Sequence, residues 1–248
     1  MTESKMKIGI LGCNGRMGQT LMALVETTKG VELAGGVDQG DDIAALIKIS
    51  DAVIDFTRPE ATLAFAELTA KHGTAHIIGT TGFNEPEFFE LHERAKRTCI
   101  FWSPNMSVGV NLLNALVEKA AKLLDSAYDI EILEMHHKHK VDAPSGTALL
   151  LGEAAARGRK VSLKKKQVLS REGITGARKA GDIGFATLRG GSVIGDHTVI
   201  FAGENDRIEL THKASSRSIF AEGAIAAAKF CVGKPNGFYS MKDLLGEF

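Results

Sequence analysis

The chain has 248 residues, 44% of them hydrophobic and 24% charged, with 30 basic side chains against 30 acidic ones. That is the balance of a soluble globular protein with one large domain or two smaller ones, and its zero net charge offers little to nucleic acid or an anionic membrane. Three scattered cysteines, Cys13, Cys99 and Cys231, fit buried thiols in a reducing cytosol better than a disulfide framework, and the opening MTESKMKIGILG enters a strand without an apolar signal core. The expected location is therefore the cytoplasm.

Lys7 to Leu11 reads as a parallel strand buried on both faces, followed at once by Gly12-Cys13-Asn14-Gly15-Arg16-Met17-Gly18 and a helix over Gln19 to Glu26. Alone, such a glycine triplet is a weak signal. Here a second strand, Val31 to Val37, completes a βαβ unit, and Asp38 follows Gly18 by about the twenty positions expected of a ribose-binding acid. The pattern predicts a dinucleotide cofactor, the glycines allowing a tight turn and close approach to a pyrophosphate.

Strands follow at Ala52 to Phe56, Ala75 to Ile78 and Cys99 to Trp102, separated by helices over Ala61 to His72 and Glu85 to Arg97. Thr57 reads as an N-cap with Glu60 as its capping-box partner. This alternation predicts an α/β fold with a doubly wound parallel sheet. Gly79-Thr80-Thr81-Gly82 and Ser103-Pro104-Asn105-Met106-Ser107 then fall at the carboxyl ends of strands, where such sheets bind ligands. Their plainer reading is ordinary turn chemistry.

The amphipathic stretch Val108 to Leu124 leads into a second, α+β domain. There Tyr128 to Met135 is a strand, and Thr147 to Arg157 a helix with Ser145 as N-cap and Gly158 as stop. Antiparallel strands are expected at Val168 to Ser170, Ile183 to Arg189, Thr198 to Ala202 and Arg207 to His212, with an aperiodic, mobile segment from Arg171 to Gly181. Lys164-Lys165-Lys166 is a solvated edge. An alanine-rich helix, Ser218 to Cys231, packs back onto the first domain. The domains are thus residues 1–107 with 217–248, and residues 108–216.

The chemistry is expected at Glu134-Met135-His136-His137-Lys138-His139-Lys140-Val141-Asp142-Ala143-Pro144-Ser145-Gly146-Thr147-Ala148. Its histidines titrate near neutral pH, Lys140 carries a positive charge, and the helix entry offers unpaired N–H groups to an anion. A small acidic substrate that receives a proton is the ligand these groups suit. A zinc site is disfavoured, because the spacing is not that of a zinc ligand set.

Taken together, GCNGRMG, DFTRPE (55–60), GTTG (79–82), SPNMSVGVN (103–111), EMHHKHKVDAPSGTA (134–148), RGGSVIGDHTVIF (189–201) and ELTHKASSR (209–217) resemble the 4-hydroxy-tetrahydrodipicolinate (dihydrodipicolinate) reductases of the diaminopimelate and lysine pathway. The resemblance covers nearly the whole chain. It implies hydride transfer from NADH or NADPH to a cyclic imine dicarboxylate, with loss of water, in a homotetramer that needs no metal, nucleic acid or membrane. By the same resemblance His136 is the proton donor and acceptor and Lys140 the second proton donor, while His137, Gly146 and Thr147 hold substrate. Gly12, Cys13, Asn14, Gly15, Arg16, Met17, Asp38, Gly79, Thr80, Thr81, Ser103, Pro104, Asn105 and Met106 line the cofactor. Many relatives carry a basic residue just after the ribose-binding acid; here it is Gln39, which tilts the expected preference toward NADH and leaves Arg16 as the nearby cation. The rival readings are an aspartate-type dehydrogenase and a dinucleotide-sensing regulator without turnover.

Overall fold

The computed structural model describes residues 5–246. In chain order the elements are β1 (Met6–Leu11), α1 (Arg16–Thr27), β2 (Val31–Val37), α2 (Ile43–Ile49), β3 (Ala52–Asp55), α3 (Pro59–His72), β4 (Ala75–Ile78), α4 (Glu85–Ala95), β5 (Cys99–Trp102) and α5 (Val108–Leu123). They continue as β6 (Asp129–His136), α6 (Gly146–Gly158), α7 (Leu163–Lys166), β7 (Gln167–Val168), β8 (Ile183–Arg189), β9 (Gly195–Ala202), β10 (Arg207–Ala214), α8 (Ser218–Cys231), β11 (Gly237–Tyr239) and α9 (Met241–Leu245). The chain divides into two compact units, one running to Val108 and resuming at Ser218, the other Gly109–Arg217.

The first unit is built on a six-stranded sheet in the order β11-β5-β4-β3-β1-β2, every pair parallel. Its central strands are apolar on both faces because helices cover both. Ile54, Ile77 and Phe101 are fully buried in one cluster with Ala221, Ala224, Ala227 and Ala228 of α8, whose small side chains let the helix lie close to the sheet. The order reverses between β1 and β3, which opens a crevice at their carboxyl ends.

The second unit carries a five-stranded mixed sheet in the order β10-β9-β6-β8-β7. All of its outer strands were expected to be antiparallel, but β8 runs parallel to β6 and β7 parallel to β8. The crossover helix α6 makes the first of these possible, because it returns the chain to the same sheet edge. On one face Ile130, Ile132, Phe185, Val199 and Phe201 pack under α5 and α6. Period-two alternation turns Leu133, Met135, Leu188 and Ile200 to the opposite face, where Leu188 is 48% exposed.

Three local expectations are corrected. Thr57 does not cap α3: its N–H and hydroxyl both donate to Asp55 Oδ1, at 2.8 and 2.6 Å, and the cap position falls to Arg58 without a side-chain bond. Gly158 does not stop α6; it lies in the last turn, where a Cβ would stand 2.4 Å from the Glu118 carbonyl oxygen of α5. The aperiodic segment is anchored, with Arg171 paired to both oxygens of Glu131 and Arg178 bonded to Glu131 and Asp129.

Candidate active site

At the crevice of the first unit, the turn after β1 folds against the end of β2. The amides of Gly12 and Cys13 donate to the Val37 carbonyl, and the Asn14 amide to Asp38 Oδ2 at 3.1 Å. Gly12 has φ +77, a left-handed conformation that side chains resist. Gly18 sits where a Cβ would stand 2.2 Å from the Gly12 carbonyl oxygen. The turn therefore brings its glycines and the start of α1 against a cavity of about 510 Å³.

Leu11, Gly12, Gly15, Val37, Asp38 and Gln39 line one side of that cavity, and Phe56, Thr57, Arg58, Ala61 and Phe65 line the other. Amide hydrogen bonds, from Gln39 first and then Asn14, hold the Asp38 carboxyl below its usual range, so it is ionised at neutral pH. A glycine cradle, a helix start and an ionised acid at the crevice fit the pyrophosphate and ribose of a dinucleotide. Sequence reading missed the second wall. DFTRPE was its signal: the run follows a strand at the same sheet edge, and it places Arg58 on the cavity where Arg16 had been the expected cation.

Of the other expected cofactor residues, Cys13, Asn14, Arg16 and Met17 share the glycine turn and the first turn of α1. Gly79, Thr80 and Thr81 follow β4, and Ser103 to Met106 follow β5. Several of these side chains point inward. Thr80 Oγ1 bonds to Asp55 and Thr62, Ser103 Oγ donates to the Asn105 carbonyl at 2.7 Å, and Met106 is in the core. Gly79, Thr81, Pro104 and Asn105 keep at least partial exposure.

In the second unit, the strand β6 ends at His136 and the loop runs to Ser145, whose hydroxyl accepts from the Ala148 amide at 3.1 Å and caps α6. His136 is 8% exposed, with Nδ1 2.6 Å from Glu134 Oε2. Glu134 is 1% exposed and also accepts from the Ser145 amide and, through both oxygens, from Arg189. Burial favours its neutral form, but the Arg189, His136 and Ser145 bonds outweigh that and hold its carboxyl below the usual range. Lys140 Nζ lies 2.9 Å from Asp142 Oδ1. That pairing, first, and the amides of Asp142 and Gly146 hold the Asp142 carboxyl below its usual range. His137 Nε2 lies 3.4 Å from the Arg217 guanidinium, and burial, then that charge, pushes its pKa down. Gly146 opens α6 with space over it, and Thr147 follows in the same first turn.

His197, from β9, stands edge-on to His136 with ring centroids 5.0 Å apart, and its Nε2 pairs with Ser145 Oγ at 3.1 Å. Burial, then the charge of His136, pushes its pKa down to about 4. The folded state thus holds His197 neutral, while the unfolded chain protonates it near 6.5. As pH falls from about 6.5 to about 4, only the unfolded state gains this proton, and up to about 3 kcal/mol of stability is lost. Denaturant unfolding of wild type and His197→Gln at pH 7 and pH 4.5 checks this. The variant should lose less stability between the two pH values, and parallel losses would refute it.

Models of the dihydrodipicolinate reductase N-terminus and C-terminus match residues 6–106 and 109–245. The chain belongs to the dihydrodipicolinate reductase family. The 4-hydroxy-tetrahydrodipicolinate reductase of Parvibaculum lavamentivorans is 53% identical, over 97% of each chain. That of Agrobacterium fabrum is 51% identical, over 99% of this chain and 98% of its own. Among solved structures, a dipicolinate-bound dihydrodipicolinate reductase from Paenisporosarcina sp. TG-14 superposes with a TM-score of 0.82 at 25% identity, covering 96% of this chain and 98% of that one. Membership in this family displaces both the aspartate-type dehydrogenase and the sensor without turnover. Sequence reading had marked His136, His137, Lys140, Gly146 and Thr147 but had given no part to Glu134, Arg189 or His197.

Proposed function

We propose that the chain reduces 4-hydroxy-tetrahydrodipicolinate to tetrahydrodipicolinate, with loss of water, in the diaminopimelate and lysine pathway. The observation that carries this beyond family membership is the carboxylate at the start of α6. Asp142 sits against Lys140 and the Gly146 amide, so the loop already holds one carboxylate. A substrate carboxylate takes that place, with His137 and Thr147 beside it and Lys140 neutralising and orienting it. His136 and Lys140 are the proton donors.

A nicotinamide cofactor, when bound, supplies the hydride. The glycine turn and Asp38 hold its nucleotide end, and the loops after β4 and β5 offer groups to the rest. Reduction of a conjugated imine leaves electron density on carbon or nitrogen. One proton discharges it, given by His136 with Lys140 as the second donor, and His136 regains it afterwards; the hydroxide lost as water takes another proton, balanced by the one the ring gives up in the elimination.

Residues 1–107 with 217–248 form the dinucleotide-binding domain in this reading, and residues 108–216 form the substrate and assembly domain. Four copies associate through the sheet face bearing Leu133, Met135, Leu188 and Ile200, which no helix among the described residues of its own unit covers. No helix among the described residues is long and apolar enough to cross a membrane. The free thiols Cys13, Cys99 and Cys231 suit the cytoplasm.

A coupled assay tests the function: substrate is made in situ from pyruvate and aspartate semialdehyde, and loss of reduced-nicotinamide absorbance is followed. No loss above the enzyme-free rate overturns the assignment.

Cofactor choice follows from the cavity wall. Asp38 would accept hydrogen bonds from the ribose hydroxyls of NADH and would repel the phosphate of NADPH. Gln39 brings no charge, and Arg58 is the cation on the wall. NADH is expected to be used at least as well as NADPH, with residual NADPH use through Arg58. Arg58→Ala should then lower kcat/KM for NADPH by about tenfold more than for NADH, and Gln39→Arg should favour NADPH. A wild-type preference for NADPH beyond about tenfold, roughly 1.4 kcal/mol, refutes this account of Asp38 and Gln39.

A further inference from the structure

Glu134 is the most enclosed carboxylate of the second unit, and all its bonds converge on the substrate loop. It receives the imidazole of His136 at 2.6 Å, the first amide of the α6 cap at 3.0 Å, and Arg189 at 2.8 and 2.9 Å. Arg189 in turn donates to the carbonyls of Asp142 and Leu188. A buried carboxylate so supplied stays ionised, and an ionised carboxylate only accepts. The hydrogen between it and His136 therefore belongs to Nδ1.

The other ring nitrogen faces β9. A Cβ on Gly195 would stand 3.0 Å from His136 Nε2 and 3.4 Å from Cδ2, closer than side chains ordinarily pack. Glycine at this position leaves Nε2 clear. One nitrogen is thus tied and the other uncovered.

We propose that Glu134 is a positioning residue, its carboxylate keeping the proton of neutral His136 on Nδ1 so that Nε2, left open by Gly195, exchanges protons with the substrate. The proposal rests on the reading of His136 as the proton donor. The imidazolium gives its Nε2 proton to the substrate and is left as the Nδ1–H form. The Nε2 lone pair then takes up a proton to restore it. Glu134 remains ionised throughout, because Arg189 holds both of its oxygens. Loss of the carboxylate would leave the neutral ring free to carry its proton on either nitrogen.

The other charged or titratable neighbours are known. Arg189 reaches in from β8, His197 and behind it His212 from β9 and β10, and His137 and Lys140 from the loop. Glu134→Gln keeps the side chain's size, removes its charge and replaces one accepting oxygen with a donating NH2.

The test is a long-range 1H–15N correlation spectrum of histidine-labelled protein, recorded at a pH where His136 is neutral, with its signals assigned by their loss in His136→Gln. The expected wild-type result is a proton on Nδ1. In Glu134→Gln the Nε2–H form should appear. Its kcat should fall about 10²-fold with a much smaller change in KM, and the limb of the pH–rate profile owed to His136 should move to lower pH. A wild-type His136 protonated on Nε2 overturns the proposal even where Glu134→Gln does not fold. An unchanged pH limb in a folded Glu134→Gln overturns it as well. If His136→Gln keeps full kcat, the donor reading falls and this proposal with it. A slow His136→Gln beside an Nε2–H wild type removes the proposal alone.

Discussion

Lys140→Ala and His136→Gln should each lower kcat by about 10²-fold or more, the usual effect of losing a positioned acid. Both act on the same bound substrate, so the double variant should be little slower than the slower single one. The KM values should separate them. Lys140 pairs with a carboxylate in the structure, and its loss also weakens substrate binding, whereas His136 is bonded inward to Glu134 and its loss leaves KM nearly unchanged. Neither side chain belongs to the first unit's crevice, so the dissociation constant for NADH, read by fluorescence titration, should stay near the wild-type value. Near-normal kcat in both single variants would show that the loop does not carry the chemistry.

The same loop marks what a sequence can and cannot disclose. The strands Val31–Val37, Ala75–Ile78 and Cys99–Trp102 and the helix Ser218–Cys231 were legible to the residue, because their apolar runs are bounded by glycine, polar turns or serine. The short helix Ile43–Ile49 and the closing β11 and α9 were not read. β11 is three residues long and owes its extended form to pairing with β5, a contact far away in sequence. Strand direction in the second sheet was misjudged because pairing partners, not alternation, decide it. The Thr57 cap failed because a buried acid two residues earlier claimed the hydroxyl. The site showed the same division. His136 and Lys140 stand in a conspicuous cluster, while Glu134 is a single acid out of phase in a strand, on the same buried face as Ile130 and Ile132. Its partner Arg189 lies on β8, and only the parallel pairing of β6 with β8 brings the two together.

Gly18→Ala should damage the first unit more than any other single methyl group placed in the glycine turn. The added Cβ would lie 2.2 Å from the Gly12 carbonyl oxygen and 2.7 Å from the Cys13 Cα, and both are backbone atoms that no rotamer change can move aside. By contrast, a Cβ at Gly15 would meet the same oxygen at 3.3 Å, a contact relieved by a small shift. To admit the methyl, α1 must move away from β1, which disturbs the packing of Leu21 and Val25 in the core and pulls the helix start from the crevice. Overpacking of this kind costs about 1–3 kcal/mol, and a backbone clash belongs at the upper end. If the same displacement removes a comparable share of nucleotide binding, NADH affinity falls by about 10²-fold, each tenfold step being about 1.4 kcal/mol. Calorimetric melting and NADH titration of Gly18→Ala beside Gly15→Ala check both parts. The Gly18 variant should show the lower Tm and the weaker binding. Equal NADH affinity in the two variants would show that the close approach of α1 to β1 does not form the nucleotide cradle.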